Sequence, residues 1–560
     1  MSTQATTVRN LLATLVAAGL KHLVVSPGSR STPLVQAAAE RPELTVHVVL
    51  DERAAGFFAL GLARATHTLV GTLCTSGSAV AHVLPAAIEA TESGDALVAI
   101  TADRPVTVRG LGAPQAILQP GLLAPYAAYF AEIDAQDPDV AARLLSLQRA
   151  LQALLALGGV AHVNVPLALP LALTPDAPAL LPPIGNVVIA PPGDPLPPPQ
   201  PGERILLLAG PLRLRADLPA FLNAHLPRHQ VAVLAEPASG LRDQLASLRH
   251  ADAFLRDATV RAALLPDRIV RIGAWPVSKG AQLLLEDAKR LGIPVDAVQP
   301  RRVSDPLRQN RVTLTDDVAT ALRDWPLVQS QPETPWVARW RAIDAAIPQP
   351  AGQWHEAAAV AALASSLPPD STLLLGNSMP VRDWDSFATP LPQGVGIEVS
   401  RGAAGIDGAL ATIAGLAVGG QRPLTAYLGD CTFLHDVGSL QVLAGQQLRH
   451  GGVRICVADN DGGAIFDYLP ARAAMPEPLH VACFTTPHGL DLAAIARGFG
   501  IEAQLCGDLA TWQALLAQPV PPNSVQVLVA RFNRSVSEAL HRDYWRQAAT
   551  AAHDALGTQQ

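Results

Sequence analysis

The sequence predicts an α/β protein built from three successive doubly wound parallel-sheet units. Three observations predict it. Short apolar or β-branched runs alternate with helical stretches along the chain, and strand, short turn, helix, strand is the pattern of a parallel sheet. Proline-rich stretches interrupt that alternation twice. The chain has 560 residues, which exceeds one core; at roughly 100–200 residues per domain, about three are expected.

The elements follow in order. Leu11–Leu20 is apolar but short, is preceded by Arg9 as its only basic residue, and has no clear cleavage site after it. It predicts an amphipathic first helix, not a signal peptide. His22–Ser26 predicts a strand, turned by Pro27-Gly28, and Val46–Leu50 a second, running directly into a helix over Glu52–Arg64. Leu69–Thr75 predicts a third strand, with Ser76-Gly77 leading into a helix over Ala79–Ala90. Leu97–Thr101 predicts a fourth, ending in Ala102-Asp103-Arg104-Pro105. Ligands of such sheets bind at the carboxyl ends of the strands. Here those ends carry Ser29, Arg30, Glu52, Ser76, Gly77 and Arg104.

Pro175–Pro201 cannot continue a helix or a central strand and reads as an extended linker. The second unit has predicted strands at Ile205–Ala209, Gln230–Leu234, Arg268–Ile272 and Val295–Val298. More prolines lie between Gln329 and Gln353, and the third unit follows with Thr372–Leu375, Leu424–Leu428, Arg454–Ala458 and Val525–Val529. The expected division is 1–175, a linker over 176–202, 203–345 and 346–560.

Composition narrows the function. Hydrophobic residues make up 49% and charged residues 16%, which describes a chain able to bury large cores. The net charge is -7 with no Lys/Arg run, so neither a nucleic-acid surface nor a membrane-binding patch is expected. The five cysteines are scattered and form no CxxC pair, which points to a reducing compartment and away from structural zinc or a disulfide framework. No apolar run reaches the ~18 residues that span a bilayer. The expectation is a cytoplasmic protein.

The most informative segment is Tyr427-Leu428-Gly429-Asp430, followed thirty residues later by Asp459-Asn460-Asp461-Gly462-Gly463. Each follows an apolar strand. An Asp and an Asn at neighbouring strand ends can meet one hard cation through oxygen, and Mg²⁺ favours a few protein oxygens plus phosphate and water. The glycines let the backbone approach a diphosphate. Two Asx turns would explain either segment alone. Glu52, in Asp51-Glu52-Arg53, opens a helix that is apolar on nearly every face and hence expected to be buried. A carboxylate there suggests function, although a first-turn carboxylate complementing the helix dipole has the same sequence.

Gly429-Asp430 with Asn460 thirty residues on resembles the signature of thiamine-diphosphate enzymes. Longer stretches resemble one family among them, the menaquinone-pathway 2-succinyl-5-enolpyruvyl-6-hydroxy-3-cyclohexene-1-carboxylate synthases (MenD). These are Ser26-Pro-Gly-Ser-Arg-Ser-Thr-Pro-Leu34, Asp51-Glu-Arg53, Thr75-Ser-Gly77, Thr101-Ala-Asp-Arg-Pro105, Gly376-Asn-Ser378 with Arg382, Ser400-Arg-Gly-Ala-Ala-Gly-Ile-Asp-Gly408 and Asp461-Gly-Gly-Ala-Ile-Phe466. The first and the Ser400–Gly408 stretches are far more specific than the metal signature. The resemblance implies the thiamine-diphosphate-binding fold, with a pyrimidine-binding first unit, a central unit and a diphosphate- and metal-binding third unit.

It also implies roles. Asp430, Asn460 and the carbonyl of Gly462 would bind Mg²⁺ or Mn²⁺. Glu52 would hydrogen-bond the aminopyrimidine ring of thiamine diphosphate and help generate its ylid. Ser76, Gly77 and Gly429 would contact the cofactor, with Ile406, Ile465, Phe466 and Leu469 as apolar walls. The implied reaction decarboxylates 2-oxoglutarate and adds the remaining unit to isochorismate. Each substrate carries two carboxylates, which Arg binds bidentately. Arg30, Arg104, Arg382 and Arg401 lie in matched segments, with Lys279 as a further cation and Ser29, Gln115 and Ser378 as neutral donors. Glu52 would face the third unit of a partner chain, so a homodimer or a dimer of dimers is implied, with the site at the subunit interface.

The sequence departs from the family pattern in places. Cys431 replaces the second glycine of Gly-Asp-Gly, Asp459 stands where Asn is common, and Pro114, which lacks an N–H, precedes Gln115 in place of Asn. The surroundings of Lys279 (Trp275-Pro-Val-Ser278) are little like the family's. His435 reads as structural. Two other readings stand beside the synthase. A different thiamine-diphosphate 2-oxoacid decarboxylase or synthase would not need this many arginines. A non-catalytic descendant would be expected to have lost Glu52 or the metal ligands, which are present.

Overall fold

Seventeen strands form three all-parallel sheets among the described residues of the computed structural model, which are 4–174, 194–213, 217–299, 304–314, 317–327, 331–350, 354–445, 448 and 451–557. The first sheet contains β1 (Leu20–Val25), β2 (Thr45–Val48), β3 (Leu69–Cys74), β4 (Ala96–Asp103), β5 (Ala127–Glu132) and β6 (Gly159–Pro166). The second contains β7 (Ile205–Ala209), β8 (Val231–Ala235), β9 (Arg268–Ile272), β10 (Val295–Val298) and β11 (Asn310–Leu314). The third contains β12 (Thr372–Leu375), β13 (Gly396–Val399), β14 (Leu424–Gly429), β15 (Val453–Asp459), β16 (Glu502–Cys506) and β17 (Val525–Arg531).

The orders are β2-β1-β3-β4-β6-β5, β11-β10-β9-β7-β8 and β13-β12-β14-β15-β17-β16. Numbered within each unit, the first and third sheets share one order, 2-1-3-4-6-5, and the middle sheet runs 2-1-3-4-5. In each, the direction of winding reverses between the first and third strands, and a crevice opens there beyond the carboxyl ends. In the first sheet Ser26 follows β1 and Ser76-Gly77 follow β3; in the third, Gly376-Asn377-Ser378 follow β12 and Asp430 follows β14.

Five strands went unread in the sequence: β5, β6, β11, β13 and β16. Four of them are sheet edges. An edge strand need not be a continuous apolar run, and β5 and β16 alternate exposed and covered residues along part of their length. The linker expected over 176–202 falls largely outside the described residues. Its described end packs on the second unit, where Leu196 N donates to Ala321 O and the Trp325 indole donates to Leu196 O.

The expectation that no segment is long and apolar enough to span a bilayer is corrected by the helix Val140–Leu157, which meets that test by length and composition. Leu144, Leu147, Leu151 and Leu154 from its inner face join the core with Ile100 and Val163 of the first sheet. It carries Arg143 and Arg149, and it behaves as a covering helix of the sheet.

Two extended cores tie the units together. One combines Phe254 and Trp340 with Trp384, Tyr427 and Trp512, joining the second unit to the third. The other combines Phe58 and Leu62 with Leu410, Ile413, Leu428 and Phe433, joining the first to the third. Its centre is the helix Glu52–Thr66, capped by Asp51, which accepts from Arg53 N and Ala54 N. As its sequence predicts, residues 54–64 are all buried. It lies against the helix Ala409–Gly419, and glycines set the spacing. A Cβ on Gly61 would stand 2.1 Å from Thr412 O, and one on Gly415 2.1 Å from Phe58 O.

Both obstacles are backbone atoms, which cannot swing aside. Gly61→Ala is therefore expected to destabilise the fold by about 1–3 kcal/mol and to lower the thermal midpoint. Gly438→Ala, where a Cβ meets nothing within 4 Å, serves as the control. Equal midpoints for Gly61→Ala and the unaltered protein would refute this packing.

Candidate active site

Asp430 is the first residue of the short helix Asp430–His435, directly after β14. It is only 3% exposed, and its two oxygens serve different groups. Oδ1 accepts from Cys431 N at 2.6 Å and Oδ2 from Gly462 N at 2.8 Å. The second bond joins the loops after β14 and β15. Gly462 is fitted for this place: its φ is +124°, and a Cβ there would stand 2.1 Å from Thr485 O. The strand pairing of β14 with β15 thus brings together Asp430, Asn460 and Gly462, the three residues expected to share a cation.

Asp459 and His488 complete this corner. Ligand atoms of Asp430, Asp459 and His488 all lie within 4.8 Å of one another. Asp459 is fully buried; its Oδ2 accepts from Arg531 Nε at 2.7 Å and its Oδ1 from Asp461 N at 3.2 Å. It therefore closes the turn and is neutralised by Arg531. Burial raises its carboxyl above the usual range, with Arg531 opposing. His488 Nε2 lies 3.4 Å from Asp430 Oδ2, and that hydrogen bond holds the imidazole above its ordinary value. The sequence offered no spacing to flag His488, since it is 58 residues from its partner.

The donors fit a hard divalent ion with a diphosphate. Asp430 and Asn460 offer side-chain oxygens, and the bare backbone at Gly462-Gly463 leaves no side chain in the way. In the first unit, the buried hydroxyls of Ser26 and Ser76 have no hydrogen-bond partner among the described residues. Unpaired buried hydroxyls at strand ends are free to meet a ligand. Gly77 N donates to Gln119 Oε1 at 2.9 Å, and Gln119 in turn donates to Asn164 Oδ1 and Ala102 O, a buried brace absent from the sequence reading.

Glu52 is half-buried at the start of its helix and accepts no hydrogen bond from any described residue. Its neighbour Arg53 reaches the third unit in the same chain, donating to His435 O at 3.3 Å and pairing with Asp436. His435 thus sits at the contact between units. Glu89 accepts from Gly402 N and Ala403 N, which seats the Ser400–Gly408 loop on the first unit. Asn377 holds the same loop through Ser400 O and Gly405 O.

The arginines divide informatively. Arg401 donates to Asn377 Oδ1 at 3.0 Å, and Arg382 to Ser378 O at 2.5 Å. Ser378 has φ +69° at the start of the helix Met379–Phe387. Burial lowers both guanidiniums from their ordinary value; repulsion by Arg382 is the next cause for Arg401, whereas Asp252 and Asp383 oppose the shift at Arg382. Arg30 is buried and donates to Leu167 O, and Arg104 has a buried Nε without a partner. None of these four forms an ion pair among the described residues, and neither do the buried Arg271 and Arg454, whereas the buried Arg9, Arg64, Arg242 and Arg261 each do.

The remaining expected residues are more peripheral. Ile406, Ile465 and Phe466 are half-buried, and Leu469 is 45% exposed. Ser29 is exposed; so is Gln115, in a left-handed backbone conformation after Pro114 and beside Gly77. Lys279 is exposed at the start of its helix and within 3.7 Å of Glu286. Its neighbours Ser278 and Gly280 bond Asp252, the carboxylate that most opposes the lowering of Arg382.

Residues 5–122 match the family described as thiamine pyrophosphate enzyme, N-terminal TPP binding domain. A 2-succinyl-5-enolpyruvyl-6-hydroxy-3-cyclohexene-1-carboxylate synthase from Chloroflexus aurantiacus is 36% identical, covering 96% of this chain and 95% of that protein. The chain belongs to this synthase family. Another synthase, from Geobacillus kaustophilus, is 33% identical over 96% of each chain. The fold also resembles a benzoylformate decarboxylase from Polynucleobacter necessarius, with TM-score 0.69, 16% identity, and coverage of 94% of this chain and 99% of that one. Family membership makes the chain an enzyme of the thiamine-diphosphate class with the corresponding fold.

In this synthase Asp430 joins the loops after β14 and β15. Asp430→Ala is expected to abolish Mg²⁺-dependent binding of thiamine diphosphate in titration calorimetry. Unchanged affinity would remove the metal-site assignment.

Proposed function

We propose that this synthase decarboxylates 2-oxoglutarate and adds the remaining four-carbon unit to isochorismate, a step of menaquinone biosynthesis. The observation that carries the proposal is the set of four buried or half-buried arginines without ion pairs. A buried guanidinium lacking an anion is costly, and substrates bearing two carboxylates each would relieve that cost. A site for pyruvate or benzoylformate would not call for four.

In this reading Asp430, Asn460 and the Gly462 carbonyl hold Mg²⁺ or Mn²⁺, and the metal holds the diphosphate. Ser76, Gly77 and Gly429 line the cofactor, with Ile406, Ile465, Phe466 and Leu469 as walls. The first unit binds the pyrimidine end, the third the diphosphate end, and the second supports them. When bound, thiamine diphosphate supplies the carbon centre that attacks the keto group and accepts the electron pair released with CO2. Glu52 exchanges a proton with the aminopyrimidine ring nitrogen. Arg382 and Arg401 orient one substrate carboxylate, and Arg30 and Arg104 serve the others, with Ser29, Gln115 and Ser378 donating hydrogen bonds. Lys279, at the start of its helix, is a further cation for these carboxylates. The working unit is a homodimer or dimer of dimers in the cytoplasm, with Glu52 serving the third unit of a partner chain.

Incubation with 2-oxoglutarate and isochorismate should give the succinyl-enolpyruvyl product by mass spectrometry. Turnover of pyruvate with none of 2-oxoglutarate would sink the proposal. Glu52→Gln should bind cofactor nearly as well but turn over at least about 100-fold more slowly. Normal turnover in that variant would make the carboxylate merely structural.

A further inference from the structure

A buried chain of polar groups leads away from Asn460 and belongs to none of the roles above. Glu356 opens the helix Glu356–Ser366 and is 2% exposed. Its Oε1 accepts from Asn460 Nδ2 at 3.3 Å, and its Oε2 accepts from the Ser537 hydroxyl. Ser537 lies in the C-terminal helix Arg534–Gly557, where its carbonyl meets His541 Nδ1 at 2.8 Å. His541 Nε2 lies 2.9 Å from Asp383 Oδ1, on the helix that carries Arg382.

An asparagine side chain has two ends of nearly equal size and opposite character: an oxygen that can bind a cation and an NH2 that cannot. Nothing in its shape selects between them. A carboxylate oxygen placed against one end does, because it takes only the donor. Ser537 occupies Oε2, so Oε1 is left to Asn460 as an acceptor.

We infer that Glu356 is a positioning residue for the metal site, holding the Asn460 amide so that Oδ1 faces Asp430 and the cation. The inference rests on the proposed reading of Asn460 as a ligand. Groups that orient metal ligands from outside are typically worth about 10–100-fold in metal affinity.

Glu356→Gln tests it, since glutamine keeps the shape but offers a donor as readily as an acceptor. The Mg²⁺ concentration required for half-maximal thiamine diphosphate binding, read by calorimetry, is expected to rise at least about 10-fold. A thermal midpoint measured without metal separates this from simple destabilisation, which would lower the midpoint and leave the Mg²⁺ requirement alone. The double variant Glu356→Gln/Asn460→Asp reverses the donor and acceptor and should bring the requirement back within about 3-fold of the original. A Glu356→Gln protein with the original Mg²⁺ requirement overturns the inference. If the single variant does not fold, a double variant that folds but remains 10-fold weakened overturns it as well. Asp430→Ala keeps the two readings apart. Loss of Mg²⁺-dependent binding there, with Glu356→Gln unaffected, refutes the positioning role alone, and unaffected binding in Asp430→Ala refutes the ligand reading beneath it.

Discussion

The contact between helices 52–66 and 409–419 is the constraint on which the site depends. One helix begins at Glu52, and the other begins where the Ser400–Gly408 loop ends. Their axes approach closely because Gly61 and Gly415 present no side chain at the crossing. Small residues at a helix crossing trade hydrophobic area for proximity. Here the surrounding Phe58, Leu62, Leu410 and Ile413 supply the area, so the pair is both close and well covered. The ion pairs at its margins, Arg53 with Asp436 and Arg64 with Glu89 and Asp95, then fix its rotation. Arg64 also donates to Ser400 Oγ, so a buried cation of the first unit pins the start of the arginine-bearing loop of the third.

The shared order of the first and third sheets explains why chemistry collects at a few loops. Each sheet reverses its winding between its first and third strands, and each places polar strand ends there. Ser26 and Ser76 flank that place in one sheet, and Asn377 and Asp430 in the other. The middle sheet has the same reversal, but its ends are spent on structure. Glu236, after β8, accepts from Val277 N and Ser278 N, and Arg242 is taken up by Asp385. Burial, reinforced by Asp385, pushes the Glu236 carboxyl up to about 8. A common topology therefore does not make three equal sites; the difference lies in whether the polar groups at the reversal are already satisfied.

Much of this was legible in the chain. Most central strands, such as β1, β9 and β17, are rich in Val, Ile and Leu and carry their own signal, whereas the central β6, interrupted by His162 and Asn164, does not; Gly429-Asp430 with Asn460 announces two loops at neighbouring strand ends. Edge strands such as β13 and β16 were not legible, because their residues answer to one neighbour and to solvent rather than to a buried layer. The partners of Asp430 and Asn460 were hidden for another reason. His488 reaches Asp430 across 58 positions, and Glu356 reaches Asn460 across 104. No local period links such pairs; only the order β12-β14-β15-β17 and the return of the C-terminal helix bring them together. Lys279 is ambiguous in the opposite sense, since a cation at a helix start has the same sequence whether it faces a ligand or Glu286.

The polar interior around Asn460 shows how a site can be stiff and still be costly. Burial alone would raise Glu356 and discharge His541. Burial does push Glu356 up, to about 7, with His541 opposing, while His541, despite its burial, is raised to about 9 by its bond to Asp383. The cation on His541 thus steadies the two carboxyls on either side of it. Replacing such a network with hydrocarbon would often be neutral or stabilising. Its value here lies in specifying one arrangement of Asn460, of the helix bearing Arg382 and of the C-terminal helix at once. The arginines follow the same logic with the opposite sign, for Arg30, Arg104, Arg382 and Arg401 form no ion pair among the described residues, although Asp252 and Asp383 act on Arg382 from beyond that range. Under the proposed function, the stability given up there would be recovered on binding substrate carboxylates, so that free energy withheld from folding would serve binding.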